Sequence, residues 1–198
     1  MRRRTFDGLA SIAGLVLAVV LAIGGGLLIW GHSFVGNEVH NQLAAQKIYF
    51  PPKGSSELKA LPAADRAAMS QYAGQQLLTG AQAQVWADHF ISVHLREIGG
   101  GKTYSQLSAA AMAQPKNTAL ADQVQTVFRG TALRGMLLDA YAFWTMGQIM
   151  LIAAIVAFAG AGLFLILSLL GFWHLSRTEQ TTELFTKRAA SAHPVTAH

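Results

Sequence analysis

Two long uncharged stretches, one near each end, constrain this chain more than any other feature. Gly8 to Gly31 is 24 residues without Asp, Glu, Lys, Arg or His, and Ala140 to Trp173 is another 34. A helix rises about 1.5 Å per residue, so each stretch can cross the ~30 Å hydrocarbon layer of a bilayer. Between them lie 108 residues of mixed polarity, His32 to Asp139, enough for a small folded unit. The expected fold class is an all-α membrane protein, two transmembrane helices with an extracytoplasmic helical domain between them. Its expected segments are an N-tail at 1–8, a first span at 9–31, the domain at 32–139, a second span at 144–173 and a C-tail at 174–198.

Charge placement sets the expected orientation. The N-tail holds Arg2, Arg3 and Arg4 against Asp7, and the C-tail holds Arg177, Lys187 and Arg188 against Glu179 and Glu183. Cationic residues close to the ends of spans stay inside, which puts both termini in the cytoplasm of a multi-pass plasma-membrane protein. The formal net charge of +5 does not point to nucleic acid. The central segment carries nine Lys/Arg against seven Asp/Glu, with no basic stripe interleaved with aromatics. With no cysteine, the domain has neither disulfides nor thiol chemistry to draw on. Arg3-Arg4-Thr5-Phe6 partly matches a twin-arginine signal. Asp7 follows it, the apolar run is too long and no A-x-A-like site ends it, so an uncleaved signal anchor is expected.

Within the first span, Ala10, Gly14, Ala18, Ala22 and Gly26 recur at every fourth position. The second has a shorter counterpart in Ala153, Ala157 and Ala161, with Gly160 beside it. Small residues at this spacing let helices approach closely, which predicts packing between the spans or between two copies. Trp30, Tyr141, Trp144 and Trp173 read as interface anchors. Trp144 and Trp173 lie ~44 Å apart along a helix, near the full bilayer thickness. Neither span holds an ionisable group, which argues against a proton or ion pathway.

The domain reads as helical, with helices expected over Asn37–Ile48, Ala63–Leu78, Ala81–Ile98, from Thr103 to about Ala113, and from Thr118 onward. Thr103 and Gln106 have capping-box spacing. Gly101-Lys102-Thr103 resembles the end of a phosphate-binding loop, but Arg96 stands where that motif needs glycine. His89 and His94 differ by about 140° around a helix and cannot share a metal. On an uninterrupted helix His94 falls at the centre of the apolar arc and Glu97 near its edge, the pattern of a buried histidine or of a pH-sensing pair. His32 and His40 specify no ligand set, and no nucleophile–base arrangement can be assembled. No metal or cofactor is expected. Arg129 and Arg134, on the last outer helix, suit lipid headgroups, an anionic partner or solvent equally.

The residues Ala44-Ala45-Gln46-Lys47-Ile48-Tyr49-Phe50-Pro51, Tyr72-Ala73-Gly74-Gln75-Gln76, Gly101-Lys102-Thr103-Tyr104-Ser105 and Phe128-Arg129-Gly130-Thr131 through Leu133-Arg134-Gly135 carry a resemblance. The chain resembles a family of small two-span integral membrane proteins from actinobacteria whose motifs carry no known mechanism. That resemblance implies an envelope location and a bacterial host class. The expectation for function is a non-enzymatic accessory subunit, scaffold or envelope-assembly factor. Its partners would be the lipid bilayer and a protein or lipid bound by the outer domain, or a second copy bound through the spans. The alternatives are a two-span sensor of a ligand or pH that signals through a partner, and an outer-leaflet enzyme.

Overall fold

The computed structural model describes residues 3–177. The N-terminal arginine side chains, and Glu179, Glu183, Lys187 and Arg188 of the C-tail, lie outside the described residues. The fold is all-helical: α1 (Arg3–Gln46), α2 (Ser56–Ala60), α3 (Ala63–Ser70), α4 (Gly80–Trp86), α5 (Ser92–Ile98), α6 (Tyr104–Ala113) and α7 (Thr118–Arg177). Two of these, α1 and α7, are long and apolar enough to cross a membrane.

Local chemistry explains most of the boundaries. Nothing breaks α1 until Lys47, which takes a left-handed φ of 53°, and the Pro51-Pro52 pair that follows bars its resumption. The Ala44 carbonyl at that helix end accepts from the Lys47 N–H at 3.1 Å and from Gln76 Nε2 at 3.0 Å. Ser55 caps α2 through the Leu58 amide. The Glu57 carboxyl in its first turn lies below the usual carboxylate range, held there first by its own backbone N–H and then by the Ser55 hydroxyl.

The helix expected over Ala63–Leu78 stops early, at Ser70. Beyond it the backbone pairs with another segment: Phe50 N–H donates to Gln75 O, Gly74 N–H to Phe50 O and Leu77 N–H to Ile48 O. Gly74 supplies the φ of 75° that this reversal needs. Thr79 therefore opens the next helix through a capping box with Gln82. The capping box of Thr103 and Gln106 forms as the spacing predicts, after Gly100 and Gly101 stop α5 at positive φ. The helix expected from Thr118 runs on without a break into the second apolar stretch.

Between α4 and α5 the helix passes through a π-turn, Ala87–Ile91, closed by Ser92 N–H donating to Ala87 O. One extra residue in a turn rotates everything downstream by about 100°.

By contact the chain divides into two compact units, Met1–Leu27 with Ala153–His198, and Leu28–Ile152. In the first, the α1 seam is Ser11, Gly14, Ala18, Leu21 and Gly25, alternating steps of three and four. On α7 it is Ala154, Ala157, Ala161, Phe164, Ser168, Gly171 and Leu175. This seam within one chain takes in only part of the ladder of every fourth residue. Gly14, Ala18, Ala157 and Ala161 lie on the seam, while Ala22 and Gly26 are exposed and Ala153 is only half-buried beside Ala154. Two serine–glycine contacts mirror each other here. A Cβ on Gly14 would lie 2.5 Å from Ser168 Oγ, and one on Gly171 2.2 Å from Ser11 Oγ. Each hydroxyl donates to the carbonyl four residues back, Ser11 to Asp7 at 2.8 Å and Ser168 to Phe164 at 2.7 Å.

The second unit, Leu28–Ile152, has a core that includes Val39 and Leu43 of α1, Phe50, Leu58, Met69, Leu77, Ala83, Ala87, Ile91 and Leu137 of α7. Trp144 packs against it. A Cβ on Gly80 would fall 2.3 Å from Trp144 Cβ, so α4 starts with its backbone in contact with α7.

Candidate functional site

Three features of the Leu28–Ile152 unit bring together side chains with binding chemistry. The first is a cavity of about 490 Å³ between α1 and α7. On α1, Val35, Val39 and Leu43 recur at every fourth position and line one wall. Met136, Ala140 and Phe143 of α7 form the other, and Phe34 flanks the opening. Two carboxylates, Glu38 and Asp139, sit among these apolar residues, and among the described residues neither Lys nor Arg lines the cavity. Gln42 Nε2 donates to Glu38 Oε1 at 2.6 Å, which orients that carboxylate. Phe34, Met136 and Phe143 are all more than half exposed, so the groove presents apolar surface outward. Its walls offer apolar contact, and its two carboxylates offer acceptors for a hydrogen-bond donor or a positive charge.

The second feature is a run of rings in contact. Tyr72 lies 5.2 Å from Phe50, Phe50 5.1 Å from Trp86, Trp86 4.6 Å from Phe90 and Phe90 4.4 Å from His94, centroid to centroid. His94 is the exposed end of this row, not the centre of a buried face, and Glu97 is exposed as well. The π-turn is the reason, because projection at 100° per residue holds only for an unbroken helix. Nδ1 of His94 is 2.7 Å from the Phe90 carbonyl, one turn back. His94→Lys should therefore cost less than about 1 kcal/mol in thermal or chemical unfolding of the full chain, as exposed changes usually do. A loss of several kcal/mol would restore the buried placement.

The third is a pair of polar contacts that leave the π-turn in two directions. Asp88 Oδ1 accepts from Arg134 Nη2 of α7 at 2.6 Å. Its neighbour His89 lies with Nδ1 2.8 Å from Asp65 Oδ1 of α3. Neither partnership is visible in sequence, since the partners are 46 and 24 residues apart and no local spacing links them. The π-turn that aims both residues is equally silent.

Trp30 stacks on Phe34 at 5.6 Å, and Tyr141 on Trp144 at 6.5 Å. Arg177 lies 4.1 Å above the Trp173 ring, a cation–π contact at the far end of α7. His32 Nδ1 is 2.9 Å from Gly147 O, and His40 is exposed. Among the described residues no three His, Cys, Asp or Glu side chains converge as a metal site. Gly101-Lys102-Thr103 forms the turn and cap before α6 instead of a loop between strand and helix.

No protein-family model, curated protein or solved structure matches this chain.

Proposed function

We propose that the protein is a two-span component of the plasma membrane with both termini in the cytoplasm. Its helical domain would serve as the docking module of a non-enzymatic accessory or scaffold subunit. Support for the membrane reading comes from α1 and α7. In their most apolar windows only 11% of the residues are buried, which leaves Val20, Ile23, Leu27, Ile152, Val156 and Ile166 facing outward. An apolar surface that wide is stable in lipid and unstable in water.

The observation that carries the function is the groove between α1 and α7. It begins one turn beyond Trp30 with Phe34 and reaches Phe143 beside Trp144, the residues expected at the bilayer interface. Its Glu38 and Asp139, without a cation among the lining residues, favour a partner segment that is apolar and carries a lysine, an arginine or amide donors. A partner protein meets both demands, since one helix can offer an apolar face with a basic residue on it.

The test is a photo-crosslinking amino acid placed at Met136 in whole cells, with the same group at Lys59 as a control on a different helix. One discrete protein adduct at Met136, absent at Lys59, is the expected result. It should disappear when Glu38 and Asp139 are changed to lysine together. Adducts only with lipid would overturn the protein partner, and adducts equal at both positions would overturn the groove. Orientation is checked in the same cells with an impermeant maleimide, which should label Ser56→Cys and spare Ser191→Cys.

A further inference from the structure

A second cavity, of about 380 Å³, lies where α5, the turn before α6 and α7 meet. Its floor is apolar, from Leu95 and Val127. The close approach of α5 and α7 builds it: a Cβ on Gly130 would be 2.5 Å from Leu95 Cδ2, so the glycine lets Leu95 lie against α7 without shifting its side chain. Three cations from three different elements line the walls: Arg96 of α5, Lys102 of the turn and Arg134 of α7. Hydroxyls of Ser105 and Thr131 join them, and among the described residues no Asp or Glu lines the cavity.

From this convergence we propose that the pocket binds a phosphate group. Several details separate it from an ordinary solvated patch. Arg134 is tied down by Asp88, so its guanidinium is held in place before any ligand arrives. That contact uses Nη2, while Nε is buried without an acceptor among the described residues. Asp88 neutralises one of the three cations, and Arg96 and Lys102 remain to balance a doubly charged anion. The first turn of α6 also faces the cavity through Tyr104 and Ser105, and the N-terminal end of a ten-residue helix favours negative charge. Lysine as a compact charge, arginine as a fork and hydroxyls as donors together suit the oxygens of a tetrahedral anion.

Two sources share this chemistry, a soluble phosphate ester and a phospholipid headgroup. Arg134 stands ten residues before Trp144 on α7, which is ~15 Å along the helix axis. The pocket is independent of the groove of the preceding proposal and shares no lining residue with it.

The experiment uses the full chain in phosphatidylcholine nanodiscs, titrated with inorganic phosphate at constant ionic strength and followed by thermal unfolding and calorimetry. Saturable binding with a rise in melting temperature is expected for the wild type. The Arg96→Gln/Lys102→Gln protein should bind at least about tenfold more weakly, because each charge-assisted hydrogen bond carries roughly that factor. Both side chains are exposed, so the double variant should fold. Lys53→Gln/Lys59→Gln removes the same charge elsewhere and should leave binding unchanged. A second arm replaces part of the phosphatidylcholine with phosphatidylglycerol and adds no free phosphate. Stabilisation confined to that arm, and lost in the double variant, assigns the site to a headgroup. Equal responses of wild type and double variant in both arms, or no response in either, overturn the proposal.

Discussion

Phe50→Ala should destabilise the helical domain by about 3–5 kcal/mol, the usual cost of emptying a large aromatic from a packed core. Phe50 is 1% exposed, and its ring touches those of Tyr72 and Trp86 at 5.2 and 5.1 Å. The residue also links segments far apart in sequence, because its amide and carbonyl pair with Gln75 and Gly74. Tyr49, one position earlier, points the other way and is largely exposed. Tyr49→Ala should therefore stay within about 0.5 kcal/mol. Hydrogen exchange of the Leu77 and Ala83 amides in the full chain reports the difference, since local opening of the domain does not require α1 or α7 to unfold. If the two alanine variants exchange at the same rate, Phe50 is not the centre of this core.

The parts of this fold that were legible from the amino acids are those set by neighbours in the chain. Thr103 and Gln106 close a capping box because a threonine oxygen reaches the third amide of the helix it starts. Gly100 and Gly101 stop α5 because they take φ values that other residues resist. The uncharged lengths of α1 and α7 were legible for the same reason. What escaped was set by partners remote in sequence. The helix begun at Ala63 looked able to continue to Leu78, yet the backbone from Gly74 to Leu77 bonds to Ile48 and Phe50 instead. The π-turn at Ala87–Ile91 has no signature in residue type, and it moved His94 from an expected core to the surface. The candidate sites show the same division. Lys102 stands in an incomplete phosphate-loop motif, but its pocket also needs Arg96 of α5 and Arg134 of α7. Only the folded chain brings those three together.

Gly171→Leu should break the close contact of the apolar helices in the unit formed by Met1–Leu27 and Ala153–His198. Ala22→Leu should leave it intact. The two predictions differ because a small residue counts only where it faces the partner. A step of four residues advances about 40° around a helix, so a ladder from Ala10 to Gly26 turns through about 160° and leaves the contact face. Steps alternating between three and four keep a seam aligned, as in left-handed coiled coils. That seam carries Gly171, where a Cβ would meet Ser11 Oγ at 2.2 Å and Ser11 Cβ at 3.3 Å. Ser11 cannot yield easily, because its hydroxyl is bonded to the Asp7 carbonyl at 2.8 Å. Overpacking of this kind costs about 1–3 kcal/mol, which lowers the population in contact by roughly 5- to 150-fold. A disulfide reads that population directly in a chain with no other cysteine. A Cβ on Gly14 lies 3.8 Å from Ser168 Cβ, the spacing a disulfide needs, so Gly14→Cys/Ser168→Cys should oxidise readily in membranes. Adding Gly171→Leu, less than one turn from Ser168, should slow that oxidation severalfold, and adding Ala22→Leu should not. Equal slowing by both would return the contact to the every-fourth-residue ladder. A disulfide that forms only between two chains would place the seam between copies.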